Sequence, residues 1–161
     1  MKLSASFVVA GALFACMSIS YPANAESGGT CNITPNHVLR LTFGGAASGQ
    51  ALSGNGLGIP PGAFSRLGVA TAITAAYDRN GKHIVGTWSD TIVTNDSLGH
   101  LTTSTLPGTF NINTQDCTAQ FSWNAYGGVA FTGVFVGQGT EFQGISTVPG
   151  IILSFFTVNK L

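Results

Sequence analysis

The sequence predicts an all-β protein: an antiparallel, closed eight-stranded up-and-down barrel that follows a cleaved signal peptide. Three observations point there. Apolar and polar residues alternate with period 2 over most of the chain after residue 36. Glycine, asparagine and proline turns recur at intervals of about 8–12 residues. No stretch after the leader shows a helical apolar stripe.

The leader comes first. Lys2 supplies a positive n-region, Phe7 to Ile19 is mostly apolar, and Ala23-Asn24-Ala25 is a small-x-small site, so cleavage is expected before Glu26. The apolar run is short for a transmembrane anchor. Lipoprotein processing at Cys16 is the other alternative, and bulky Phe14 suits it poorly. The expected organisation is a signal peptide over 1–25 and one barrel domain over 26–161.

His37–Phe43 reads as the first strand, with His37, Leu39, Leu41 and Phe43 on one face. The glycine-rich stretch 44–68 keeps no period and reads as a long flexible loop, a functional lid or tolerated slack. Val69–Tyr77 and His83–Thr94 form a hairpin about Asn80-Gly81. Asn95–His100 turns into a weak strand, Leu101–Thr105, and Pro107-Gly108 punctuates the chain. Gly108–Asn124 is the clearest hairpin. Phe110 and Ile112 alternate with polar residues before a turn near Asn113–Asp116, and Cys117, Ala119, Phe121 and Trp123 do so after it. Val129–Val136, Thr140–Thr147 and Ile151–Val158 follow. Val129–Val136 and Ile151–Val158 are apolar on both faces and must be covered by another element, a partner subunit or lipid, which motivates an expected homo-oligomer.

Composition bounds the partners. Six Lys and Arg balance six Asp and Glu, and charged residues make up only 7% of the chain, so nucleic-acid binding has no electrostatic footprint. Of three cysteines, Cys16 leaves with the leader; Cys31 and Cys117 remain, and an oxidising compartment allows them one intramolecular pairing. Two free thiols or an intermolecular bridge are the alternatives. No CxxC or His/Cys cluster suggests a metal, and no cofactor is expected.

The central hairpin also carries a likeness. Gly108, Phe110, Ile112, Asp116, Cys117 and Thr118 form a Gly-x-aromatic-x-aliphatic…Asp-Cys-Thr motif. It resembles a group of small secreted bacterial proteins of unknown function that look like calycin-type or allene-oxide-cyclase-like β-barrels. Ala75, Tyr77, Asp78, Asn80 and Gly81, followed by Gly86, match that group's Phe-Asp-x-x-Gly turn, and Gly139 to Gly150 match its penultimate hairpin. Ala119 stands where a glycine is common, and Leu39-Arg40-Leu41 replaces the usual Gly-x-Tyr. The resemblance implies the barrel and the disulfide; it transfers no catalytic residue.

Asp90 is the carboxylate of most interest. A regular strand puts Ile84, Gly86, Trp88, Asp90 and Ile92 on the core face, where a carboxylate is costly and its pKa rises. Either it lies in the barrel beside Trp88 as a ligand platform, or a bulge or structural hydrogen bonds account for it. The candidate ligand-binding set is Trp88, Asp90, His37, Phe110 and Trp123. His83 falls on the face opposite Asp90 and His100 in a turn, so no Ser-His-Asp set converges, and no Gly-x-Ser-x-Gly elbow exists. Asp90 and Glu141 are the one conceivable glycosidase pair, with nothing to place them in one cleft. No catalytic residue is assigned. The expected function is a secreted or periplasmic, non-enzymatic binding or interaction protein of unknown specificity, holding a small apolar ligand in the barrel. A cyclase-like barrel enzyme is one alternative and predicts Asp90 in the cavity with a raised pKa. A small outer-membrane barrel is the other and predicts an outward apolar band.

Overall fold

The structure, a computed structural model, describes residues 31–153 and the backbone of residues 156–160. The expected leader lies outside the described residues. A short helix α1 (Pro35–Val38) precedes strands β1 (Thr42–Ala51), β2 (Gly62–Tyr77), β3 (His83–Asn95), β4 (Leu101–Asn113), β5 (Thr118–Trp123), β6 (Gly128–Val136), β7 (Glu141–Ser146), β8 (Ile151–Leu153) and β9 (Phe156–Lys160). Every pairing is antiparallel, and each strand pairs with its neighbour in sequence through β7. β9 then pairs β7 on one side and β1 on the other, while β8 also pairs β1. With β8 and β9 as two halves of one course, eight antiparallel strands form the expected barrel, and neither side of β1 is left as an open edge.

Three expectations along the chain change. The first strand does not begin at His37. Thr34 caps α1, its Oγ1 accepting from the His37 N–H at 3.2 Å, and Pro35 occupies the first turn. Thr-Pro at a chain entry is a helix start, because proline's fixed φ and missing N–H are both harmless there. The expected loop over 44–68 shrinks to 52–61. Gly44–Ala51 belongs to β1, and Gly62–Gly68 extends β2. Small residues with little strand preference are held extended by ladders on both sides, where pairing outweighs propensity. Finally, β4 runs straight through Pro107. The Pro107 carbonyl faces the β5 side, where it accepts from the Asn124 N–H beyond the end of β5, so the missing donor costs no ladder bond.

The interior is apolar. Ile84, Trp88 and Ile92 of β3, Phe110 and Ile112 of β4, Ala119 and Trp123 of β5, and Phe135 and Phe142 of β6 and β7 are buried. The outer face carries threonine pairs across strands, Thr74 with Thr87 at 2.8 Å and Thr91 with Thr105 at 3.3 Å. A bulge at Ile73 of β2, between Ala72 and Thr74, keeps the alternation of β2 in phase with the regular β3.

The two ends are closed differently. Ile33, Val38 and Leu41 bury themselves at the end that carries turns 78–82, 113–117 and 137–140. Cys31 and Cys117 are bridged with Cα atoms 5.1 Å apart, tying this plug to the β4–β5 turn as the expected pairing requires. At the other end the loop 52–61 lies as a strap. The Leu52 and Gly56 N–H groups donate to the Gly150 and Pro149 carbonyls. Buried Asn55 donates to the Leu52 and Ile59 carbonyls and accepts from the Leu57 and Ile59 N–H groups. Leu57 and Ile59 pack on the core beneath.

Glycines on the inner face make room for aromatic rings. The Trp88 indole crosses Gly108 and donates to the Ser122 carbonyl at 3.1 Å; a Cβ at Gly108 would overlap both that ring and the Ser122 backbone. Gly108→Ala is therefore expected to destabilise the fold by about 1–3 kcal/mol, as overpacking does. An unchanged denaturation midpoint would mean that Trp88 does not lie there. The bridge closes a loop of 86 residues. The double variant Cys31→Ser, Cys117→Ser should lose up to about 4 kcal/mol in urea denaturation without reductant; coincident curves would show that the plug needs no tether.

Candidate functional site

Between plug and strap the barrel contains a cavity of about 120 Å³. Aromatic rings from successive strands form its inner wall. Phe121 meets Trp88 edge-on at 5.2 Å and Phe142 at 5.1 Å, and Phe135 lies 5.2 Å from Phe142. The opposite wall is β1 and β2, whose inward positions Gly45, Ala47, Gly68 and Ala70 are small. Bulky rings facing a small-residue wall leave the space that side chains do not fill. A second void of about 30 Å³ lies toward the plug, among Val38, Leu41, Phe110 and Ile112.

Two charged side chains line the cavity, Arg66 from β2 and Asp90 from β3. Asp90 points inward because β3 is regular throughout its length, so the alternative in which a bulge re-aims it does not hold. Its residue is only 8% exposed. Burial pushes its carboxyl up to about 6, against the opposing pull of the Arg66 charge and of the Trp123 indole N–H. Burial likewise lowers the Arg66 guanidinium from its ordinary value, and Asp90 works the other way. The two charges are coupled without touching: no direct ion pair joins them. Arg66 Nε donates to Thr94 Oγ1 at 3.0 Å, and its guanidinium carbon sits 5.4 Å over the Trp123 ring. Trp123 is 1% exposed, and its Nε1 has no hydrogen bond of ordinary geometry.

The structure thus sorts the candidate residues. Trp88 and Asp90 line the cavity together. Trp123 sits behind Arg66, stacked 6.5 Å from Trp88. Phe110 lines only the smaller void. His37 lies in α1 at the plugged end, beside Gly139, and does not line the cavity. The expected strand face for it does not exist, since the helix begins where the strand was read. The other titratable groups stay apart, as expected. His83 bonds Asn111 on the outer face at 2.8 Å, and His100 meets Asp96 at 3.2 Å in the β3–β4 turn. Glu141 accepts from Gln143 Nε2 at 2.6 Å and lies outside the cavity lining. Asp116 closes its turn by accepting from the Thr118 N–H and hydroxyl. No cluster of metal-ligating side chains occurs among the described residues.

Arg66 is the residue that sequence reasoning missed, because the stretch was read as loop. The signal was partial: Phe64, Arg66, Gly68, Ala70 and Ala72 alternate with Ser65, Leu67, Val69 and Thr71, but the bulge between Ala72 and Thr74 changes the phase, so the C-terminal half of Val69–Tyr77 read straight back would turn Arg66 outward.

The raised carboxyl makes stability depend on pH. Below about pH 3, Asp90 is mostly protonated whether folded or unfolded. As pH rises toward 6 the unfolded carboxyl ionises freely while the folded one resists. The penalty therefore grows through this window and levels off above it at about 3 kcal/mol. In urea denaturation, Asp90→Asn should gain stability relative to wild type as pH rises from 4 to 7, by up to that amount. A difference that stays constant over the window would contradict the buried carboxyl. No known family model, curated protein or solved structure matches this chain significantly.

Proposed function

We propose that the protein is an exported, non-enzymatic carrier or sensor that holds one small, largely apolar ligand inside its barrel. The observation that supports this most is the aromatic-walled cavity of about 120 Å³ with two convergent polar groups, a pattern typical of small-ligand sites. That size suits a molecule of about one ring, since engineered apolar cavities of about 150 Å³ take up benzene. The Cys31–Cys117 bridge suits the periplasm or the extracellular medium. The apolar interior is unlike the polar lumen of an outer-membrane barrel and supports water outside it, while the outer face mixes threonine pairs with exposed apolar side chains such as Leu67, Ile73 and Ile145. No described helix is long and apolar enough to cross a membrane, which bears only on helices.

Asp90 supports a second reading. A carboxyl in the cavity with a pKa of about 6 is what a cyclase-like enzyme would use as acid or base. Binding is the better-supported reading because, among the described residues lining the cavity, no hydroxyl, thiol or second acid stands beside Asp90.

Native mass spectrometry of the protein exported without detergent should show a small adduct. Ethylbenzene should raise the Tm of the wild type but not of Ala70→Leu, in which the cavity is filled. No adduct together with no ethylbenzene effect would end the ligand-binding reading. An adduct recovered chemically unchanged supports a carrier, whereas an adduct converted by wild type but not by Asp90→Asn supports the enzyme.

A further inference from the structure

The shape of the cavity selects for size; its two charged groups select for chemistry. Arg66 is the one whose donors are only partly used. Its guanidinium is drawn into a space whose other walls are mostly aromatic or small and apolar. Nε is used by Thr94, and the ring of Trp123 covers one face. Among the described residues no acceptor takes the two terminal nitrogens, and Asp90 stands too far for a direct ion pair. A planar fork of donors in an apolar chamber matches one kind of partner, a planar anion with two oxygens. A second observation agrees. Buried Trp123 Nε1, beside this fork, makes no hydrogen bond of ordinary geometry and acts on the Asp90 carboxyl only at longer range, so it is a further donor open to an incoming oxygen.

We infer that the ligand of this barrel is a small monocarboxylic acid with an apolar body, its carboxylate seated on Arg66 and its body against Trp88, Phe121 and Phe135. The inference rests on the ligand-binding reading and narrows it. Asp90 tunes the site. Among the described residues it faces Arg66 and Gly68 from β2, Leu106 from β4 and Trp123 from β5, and of these Arg66 alone is charged. With Asp90 ionised, an incoming carboxylate meets a like charge. With Asp90 protonated, the Arg66 charge is left for the ligand and the Asp90 hydroxyl becomes a further donor. Binding of the acid therefore takes up a proton at neutral pH.

Three one-ring probes test this on the intact protein: phenylacetate, neutral ethylbenzene and cationic phenethylamine. Affinities are read from the indole N–H resonances of the two tryptophans, Trp88 and Trp123. A free carboxyl with a pKa of about 4 is still anionic at pH 5. At that pH phenylacetate should bind at least about tenfold tighter than ethylbenzene, the gain expected of a charge-assisted pair. Raising the pH to 8 should weaken phenylacetate severalfold and leave ethylbenzene unchanged. Arg66→Met should lose the preference for the acid over ethylbenzene, and Arg66→Lys should keep part of it. Ethylbenzene binding as tightly as phenylacetate in wild type would overturn the acid assignment while leaving the apolar site standing. Tighter binding of phenethylamine would make Asp90 the recognition group and overturn it as well. If no probe shifts either indole, the acid assignment and the ligand-binding reading fall together. The wild-type comparison does not depend on how well either Arg66 variant folds.

Discussion

Closure of the sheet is the constraint on which the rest of the molecule depends. β1 pairs β2 along its whole length and also takes β9 and β8 on its other side, so backbone groups that would lie along an open edge bond within the chain. Once the ring is closed, inward and outward faces are fixed for every strand, and a slip of one residue would exchange them. A wall of small residues at β1 and β2 then faces a wall of rings across the lumen. Interdigitation fails at that junction, and the cavity is the volume left over.

The two ends of the barrel show how such a space is kept from collapsing or flooding. α1 and the residues around it seal one end with apolar side chains and are anchored covalently through Cys31 and Cys117. The strap at the other end is held by the side chain of one buried asparagine and by main-chain bonds to residues 149 and 150. The covalent anchor cannot open without reduction. The strap is held by hydrogen bonds and by the packing of Leu57 and Ile59, contacts that can reform after a local opening.

Inside, Arg66 and Asp90 set stability against use. Each is disfavoured by burial and each partly relieves the other at a distance, yet a direct ion pair, which would relieve both further, is not made. Groups held in this state are available to a third partner. Replacing both with apolar residues of similar volume would remove the desolvation cost that each carries.

The sequence by itself determined the all-β class, the antiparallel order, most turns and the inward set of the central strands, because these rest on period-2 alternation and on residues suited to turns. It also determined that Trp88 and Asp90 share a face, since β3 carries no irregularity. Cys31 and Cys117 allow one intramolecular pairing, and the structure, rather than the count of cysteines, brings them into that bridge. Tertiary structure alone decided the rest. Gly44–Ala51 is a strand only because neighbours on both sides hold it extended, and its own residues carry no preference strong enough to say so. His37 left the candidate set because a Thr-Pro helix start overrode an alternation of four apolar-face positions. Arg66 entered it because closing the ring turned its face inward and set it across from Asp90. The two lie 24 positions apart in sequence on different strands, and no local pattern encodes their approach. Periodicity is a property of neighbours along the chain, whereas a site inside a barrel is a property of register around it.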